Sequence, residues 1–187
     1  MKFLVVGLGN PGDEYTGTRH NIGFTILDNF ALCFNACFKT CRYGEITELK
    51  YKGRKLYLLK PNTFMNLSGK AVNYWINELK VKLENILIVN DDMSLQFGVL
   101  RMRKKGSDGG HNGLKDINNT LQTQQYPRLR FGIGNNYSVG KQSEFVLGKF
   151  NDDEKQALEE RVNMSIKMIQ SFTTIGINFT MTKYNGK

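Results

Sequence analysis

The sequence has 187 residues, of which 40% are hydrophobic and 23% are charged; these proportions exclude wholesale disorder and a fibrous design. A chain of this length can bury a core without metals or crosslinks, so we expect one domain spanning residues 1–187. The 26 Lys and Arg residues against 17 Asp and Glu leave a net charge of +9, which favours a polyanionic partner such as nucleic acid.

The N-terminal apolar run, Phe3 to Val6, is too short for a signal peptide or a membrane span. No other apolar stretch of the sequence approaches the length of a transmembrane helix. By elimination, we expect a cytoplasmic protein with no membrane partner.

Three cysteines recur at four-residue intervals, which on a helix would place Cys33, Cys37 and Cys41 along one face. Three thiols without a nearby His or a fourth Cys cannot close a tetrahedral zinc site, and the spacing is not that of common iron–sulfur motifs. We therefore expect reduced thiols, no metal and no cofactor.

The first predicted element is a buried strand at residues 3–6, followed by a glycine-rich loop over residues 7–18. Apolar residues at helical spacing then predict a helix that contains Ile22, Ile26, Leu27, Phe30 and Phe34. Strands are predicted near 43–51 and at 56–59. A polar loop at 60–69 leads to a second helix that contains Ala71, Val72, Trp75, Ile76 and Leu79.

The next buried strand is predicted at 86–89, with further strands at 97–104 and 128–134, some of them antiparallel. A helix between the last two contains Leu114, Ile117 and Leu121. Asn151 with Glu154 three residues on predicts the capped start of a final helix that contains Leu158, Val162, Ile166, Ile169 and Phe172. This order predicts an α/β fold: a single domain with a twisted mixed β-sheet flanked by α-helices.

The first loop carries a G-x-G-x-x-G pattern, Gly7, Gly9 and Gly12, which is also typical of dinucleotide-binding turns. In such a fold the third glycine opens a helix, whereas residues 13–19 show no apolar periodicity. The acidic residue expected at the end of the second strand is also missing, because Asp28 falls inside the first helix. The pattern therefore favours a loop that brings polar side chains together over a nucleotide site.

The sequence contains two histidines, His20 and His111, each in a polar, glycine-containing stretch. Ligands of open α/β sheets collect beyond the carboxyl ends of the strands, where Asn10 and Asp91 are expected. Asp91 would then orient His20, which could accept a proton near neutral pH. One imidazole, one carboxylate and several carboxamides suit hydrolysis by an activated water, and no strong Ser or Cys nucleophile motif is present.

Two further carboxamides, Asn66 and Asn112, lie in the polar loops at 60–69 and 106–116. Their N–H groups could bind an oxyanion that develops during hydrolysis. Asn112 has an alternative role, because Asn is a favoured N-cap and a helix is predicted to follow it.

Six segments in this order strongly resemble those of bacterial peptidyl-tRNA hydrolases: GLGNPGDEYTGTRHNIG (7–23), KPNTFMNLSG (60–69), DDMSLQFGVLR (91–101), GGHNGLKDI (109–117), RLRFGIG (128–134) and FVLGKF (145–150). That family cleaves the ester between a peptide and the terminal ribose of tRNA, which recycles tRNA after aborted translation. The resemblance implies a metal-independent hydrolase, a monomer, whose partner is the acceptor end and terminal adenosine of peptidyl-tRNA.

The resemblance also implies a role for individual residues. His20 is the base that activates water, Asp91 orients it, and Asn10 is the third catalytic residue. The substrate-binding residues are then Tyr15, Phe64, Asn66 and Asn112.

Arg103 and Arg130 match positions that the family uses to grip a tRNA phosphate, and Arg101, Lys104 and Lys105 would extend this basic surface. The sequence departs from the family pattern at Met93-Ser94, where Leu-Asp is common, and at Asn135-Asn136, where Arg-Pro often follows the glycine. A noncatalytic RNA-binding module is the alternative function, but it would have no use for His20 together with Asp91.

Overall fold

The computed structural model describes residues 1–186, whose strands all belong to one seven-stranded sheet in the order β2-β3-β4-β1-β5-β7-β6. The strands are β1 (Lys2–Gly7), β2 (Lys39–Cys41), β3 (Gly44–Tyr51), β4 (Arg54–Pro61), β5 (Ile86–Asp92), β6 (Leu100–Arg103) and β7 (Arg128–Gly132). The helices are α1 (Ile22–Leu32), α2 (Ser68–Leu79), α3 (Asn112–Leu121), α4 (Gln142–Leu147) and α5 (Asp152–Tyr184).

The sheet is mixed, which confirms the predicted α/β class. Strands β4, β1, β5 and β7 run parallel in its centre, whereas β3 and β6 pair antiparallel at either side and β2 extends the β3 edge. Parallel central strands end at the same edge, so the residues that follow β1, β4 and β5 are delivered to one place.

Alternating side chains of the central strands supply a core on each face of the sheet. Phe3 and Val5 of β1 pack with the apolar sides of α1 and α5, while Leu4 and Val6 pack with those of α2 and α3. The first turn of α1 lies directly against the end of β1. The two are so close that a Cβ atom on Gly7 would overlap the carbonyl group of Gly23. This close approach holds the residues just before α1 at the carboxyl edge of the sheet.

Two elements were not predicted from sequence, β2 and α4. Strand β2 has only three residues, none of them buried, and α4 has six residues with no fully buried side chain, so neither carries an apolar pattern. The predicted strand at 97–104 is shorter, Leu100–Arg103. The predicted capped start of α5 is confirmed, since Asn151 and Glu154 form a reciprocal capping box.

The carboxyl-terminal part of α5 turns back onto the edge strand β6. The helix is interrupted at Gly176, whose φ of 83° a glycine adopts without strain. Beyond the helix, the side chain of Asn185 accepts from the Met102 N–H at 2.8 Å and donates to the Met102 carbonyl at 3.0 Å. One side chain thus pairs with an edge strand as a neighbouring strand would.

Within residues 1–186, none of the helices combines the length and the apolarity that a membrane crossing requires. Cys33 and Cys37 are exposed, Cys41 is half-buried, and all three are free thiols.

Candidate active site

Three segments converge at the carboxyl edge of the sheet to form a buried cluster of His20, Asp91 and His111, here called the His–Asp–His cluster. His20 lies in the second of two short 3-10 turns between β1 and α1, Asp91 is at the end of β5, and His111 directly precedes α3. Each of the three residues is at most 9% exposed. The structure thus places Asp91 beside His20, where the strand-end argument expected it.

One carboxylate oxygen joins the two imidazoles. Asp91 Oδ1 lies 2.9 Å from His20 Nδ1 and 3.0 Å from His111 Nε2, and the centroids of the two imidazole rings are 4.9 Å apart. The other ring nitrogen of His111 caps α3, because Nδ1 accepts the N–H of Leu114 at 3.3 Å. The preceding Gly109 and Gly110 have φ values of 59° and 82°, which favour glycine and allow the loop to turn into this cap.

These contacts fix which nitrogens carry protons. Since His111 Nδ1 accepts from the helix, its proton is on Nε2 and points to Asp91. An ionised Asp91 accepts from both rings, so His20 carries its proton on Nδ1 in the neutral state. The lone pair of His20 Nε2 is then free to take a proton from water.

Burial and charge act in opposite directions on the pKa values in this cluster. Burial disfavours the protonated form of His20, but the charge of Asp91 and its hydrogen bond outweigh this effect and raise the pKa of His20 above its ordinary 6.5. Burial would raise the pKa of Asp91, yet the two imidazoles hold it far below its usual range. Asp91 is therefore ionised throughout the range in which His20 titrates.

The cluster is also the group among residues 1–186 with a possible metal-ligand set, since its three donor atoms lie within 4.8 Å of one another. A metal bound to Nε2 of a neutral His111 would shift the remaining ring proton to Nδ1. That proton would face the N–H of Leu114 and break the helix cap. The donor set therefore fits a hydrogen-bonded cluster better than a metal site.

Asn10 is held beside the cluster by three hydrogen bonds. Its backbone N–H donates to Asn21 Oδ1, and Asn21 Nδ2 donates back to the Asn10 carbonyl, both at 2.9 Å. The Asn10 side-chain oxygen accepts the N–H of Met65 at 2.7 Å. With that oxygen engaged, the side chain has its NH₂ group left as a donor.

Two cavities open at this edge of the sheet. One, of about 130 Å³, is lined by the His–Asp–His cluster together with Asn112, Ser94 and, from α4, Gln142, Ser143 and Val146. The residues that line the other, of about 350 Å³, include Asn10, Asn21, Phe24, Asp28, Glu45 and Lys60. The structure therefore brings Asn112 into the cavity of His20 and places Asn10 in the neighbouring one.

The other residues predicted to bind substrate lie around the cavities without lining them. Phe64, which is 54% exposed, and Asn66 lie at the start of the turn that leads from β4 to α2. Tyr15 is half-buried in the loop after β1. Asn112 is the first residue of α3 rather than its N-cap, since His111 takes the capping position; the alternative capping role for Asn112 is wrong.

The basic surface, defined as Arg101, Arg103, Lys104, Lys105 and Arg130, lies toward the β6 edge of the sheet. Arg103, Lys104 and Lys105 are exposed. Arg130 is partly engaged, because its Nε donates to Asp92 Oδ2 at 2.5 Å and its Nη2 donates to Ser94 Oγ at 2.9 Å.

Ser94 fits into this network despite its departure from the family pattern. Its hydroxyl donates to Asp92 Oδ1 at 2.6 Å while it accepts from Arg130. Burial opposes ionisation of Asp92, but the bonds from Arg130 and Ser94 lower its pKa. A neutral hydroxyl thus bridges the aspartate and the arginine. Asn135 and Asn136 lie in an exposed loop after Gly134.

Sequence reasoning missed His111 and α4 as parts of the site. His111 was noted as one of two histidines, and its position before a helix at the end of a glycine-rich loop was the available signal. The wall that α4 contributes had no signal, since nothing in residues 142–147 marks them as close to His20.

A sequence model of the peptidyl-tRNA hydrolase family matches residues 4–187. The chain belongs to this family. It is similar to peptidyl-tRNA hydrolases of Phocaeicola vulgatus, at 55% identity, and of Bacteroides fragilis, at 53%, with 100% of both chains covered in each case. It is similar in structure to peptidyl-tRNA hydrolase from Acinetobacter baumannii, with 33% identity, a TM-score of 0.92, and coverage of 98% of this chain and 94% of that one. The resemblance of the six sequence segments is therefore confirmed over nearly the whole chain.

Proposed function

We propose that this protein hydrolyses the ester between the peptide and the terminal ribose of peptidyl-tRNA, with His20 as general base. The observation that carries the proposal is the free Nε2 of a buried His20 whose other nitrogen is bound to Asp91. The family membership supports the same substrate.

In the proposed reaction, His20 Nε2 removes a proton from a water molecule as the water oxygen attacks the ester carbonyl. The bond from the carbonyl carbon to the ribose oxygen then breaks, and the proton passes from His20 to that oxygen. The products are a peptide carboxylic acid, which ionises in water, and tRNA with a free ribose hydroxyl. Asp91 holds His20 in the reactive tautomer and stabilises the imidazolium that forms.

Carboxamide groups supply the polar contacts to substrate in this proposal. Asn10 presents an NH₂ group because its oxygen is bound to Met65, and such a donor suits an oxyanion or a carbonyl oxygen. Asn66 and Asn112 assist in placing the ester and the water. Tyr15 and Phe64 offer aromatic surface for the terminal adenosine or the peptide.

The basic surface would receive the phosphates of the acceptor end. Arg103 is exposed and free to bind a phosphate, whereas Arg130 is pre-oriented by Asp92 and Ser94. We further propose that the enzyme is a monomeric, single-domain protein of residues 1–187 and acts in the cytoplasm, where translation produces peptidyl-tRNA.

Metal independence is part of the proposal, and it is supported by the helix cap on His111 that a bound metal would disrupt. The decisive experiment incubates the purified protein with peptidyl-tRNA, with and without EDTA, and measures released tRNA. We expect cleavage at the same rate in both arms. A noncatalytic RNA-binding module would retain peptidyl-tRNA and release nothing, whereas cleavage abolished by EDTA would reject the metal-independent mechanism alone.

A further inference from the structure

Arg19, the residue before His20, is buried and makes contacts with one distant segment of the chain. Its side chain is 9% exposed and forms an ion pair with Glu154 at 2.7 Å. The Nη1 group donates to the carbonyl of Lys149 at 2.8 Å, and the backbone N–H of Arg19 donates to the carbonyl of Gly148 at 3.0 Å. All of these partners lie within residues 148–154.

Two aromatic rings, one in α4 and one between α4 and α5, pack around this guanidinium. The Arg19 Cζ atom lies 4.4 Å from the ring centroid of Phe145 and 5.4 Å from that of Phe150. Glu154 has a second role, because its carboxylate also accepts the N–H of Asn151 in the capping box of α5. Arg19 therefore connects the turn that carries His20 to both α4 and the first turn of α5.

Helix α4, which Arg19 contacts through Phe145, forms one wall of the catalytic cavity. Gln142, Ser143 and Val146 of α4 line that cavity together with the loop of His111. Helix α4 buries no residue fully, and its apolar packing against the core comes from two partly buried residues, Phe145 and Val146. Arg19 adds to this attachment, because its guanidinium stacks on the Phe145 ring and donates to the Phe145 carbonyl.

A contribution to the stability of the fold does not by itself explain why an arginine is buried at position 19. A buried guanidinium carries a large desolvation cost, and the Nε of Arg19 has no hydrogen-bond partner. Apolar residues of similar size could fill the space between Phe145 and Phe150 with equal or greater stability. The specific property of arginine at this position is its planar guanidinium group. This group can stack on aromatic rings and donate hydrogen bonds to several carbonyl and carboxylate oxygens at once.

We propose that Arg19 is a positioning residue that holds α4 as a wall of the catalytic cavity and thereby sets the affinity for peptidyl-tRNA. The inference rests on the proposed function. Arg19 acts on binding and not on bond cleavage, because His20 is oriented by Asp91 from β5 and not through α4.

The test replaces Arg19 by lysine, which keeps the charge but cannot stack between two rings and bond to Lys149 and Glu154 together. We expect R19K to raise KM for peptidyl-tRNA roughly tenfold, the effect of losing a hydrogen bond of a charged group. The kcat and the pH at which it is half-maximal should remain within about twofold and a few tenths of a unit of wild type. R161K, at a half-buried arginine of α5 that lines neither cavity at the carboxyl edge of the sheet, is the matched control and should change neither constant.

Two further measurements separate this role from a general loss of structure. F145L removes the stacked ring from the α4 side, and the R19K/F145L double variant should raise KM no more than the larger single effect. Amide hydrogen exchange of residues 142–147 should accelerate in R19K while that of β5 is unchanged.

An unchanged KM in R19K, whether kcat or only the melting temperature falls, would overturn the inference, as would multiplicative effects in the double variant or unchanged exchange in α4. Wild-type protein is assayed in parallel. If it fails to cleave peptidyl-tRNA, the proposed function fails, whereas the exchange experiment still decides whether Arg19 holds α4.

Discussion

The His–Asp–His cluster and the basic surface differ in how far each side chain depends on its neighbours. In the cluster, one oxygen of Asp91 accepts from two rings, and the orientation of one ring is fixed by the start of α3. On the basic surface, Arg103, Lys104 and Lys105 project into solvent, and each adds its charge independently. The cluster is therefore expected to respond to substitution in kcat, and the basic surface in KM and its salt dependence.

The largest effect is expected for His20. H20A removes the proposed base, so kcat should fall by about 10² to 10⁴ while the affinity for peptidyl-tRNA is largely kept. Single-turnover cleavage and equilibrium binding of the same substrate measure the two quantities. Unchanged cleavage by H20A would reject His20 as the base.

Substitution of Asp91 tests whether the carboxylate tunes His20 as well as orienting it. D91N should lower kcat by on the order of 10², because the amide offers an N–H group where an imidazole N–H now points. Without the negative charge, burial dominates and the pKa of His20 falls. The rise of kcat/KM with pH, centred above 6.5 in wild type, should therefore move to lower pH.

A pH–rate profile of kcat/KM measures this shift. D153N, which neutralises an exposed aspartate in the first turn of α5, should leave the profile unchanged. A profile of D91N displaced to higher pH would contradict the assignment of Asp91 as the group that raises the pKa of His20.

Two substitutions of His111 separate the two roles of its ring, which are to donate to Asp91 and to cap α3. H111N supplies a side-chain oxygen that can cap α3 but is too short to reach Asp91 as well, so we expect kcat to fall about tenfold with the melting temperature nearly kept. H111A should lose the cap too and melt at a lower temperature. Equal kcat values for H111N and wild type would mean that the second imidazole on Asp91 is irrelevant to turnover.

The smallest expected effect belongs to the basic surface. R103A should raise KM a few-fold at low salt, leave kcat unchanged, and reduce the slope of log KM against log salt by roughly 0.7 to 0.9, the value for one lost phosphate contact. K50A, which removes an exposed charge on β3, should leave the slope unchanged. An unaltered slope in R103A would place the phosphate contact elsewhere.

Local patterns were enough to predict most of the sheet and part of the site. The apolar run from Phe3 to Val6 predicted a buried strand, and in the structure its residues alternate between the two cores. Asp91 could be placed next to His20 because parallel strands end at a common edge. Each of these inferences uses residues close together in sequence and one general rule of sheet geometry.

The remaining features depend on which segments become neighbours in space. The link from Arg130 to Asp92 requires that β7 lie next to β5, and no pattern in either strand states this. His111 as a cap was unexpected because Asn112 is the residue type that normally caps a helix. The short α4 could not be predicted from local sequence, because one of its contacts is with Arg19, which is 126 positions from Phe145.

The amide of Asn185 has a consequence for the access of other chains to the edge strand β6. Strand β6 is the outermost strand on its side, and the Asn185 side chain occupies the hydrogen-bonding groups of Met102 on its open side. An unoccupied strand edge is a template for pairing with a foreign chain. The Asn185 side chain therefore occupies one pair of backbone groups that a foreign strand would need in order to pair with β6, a role independent of catalysis.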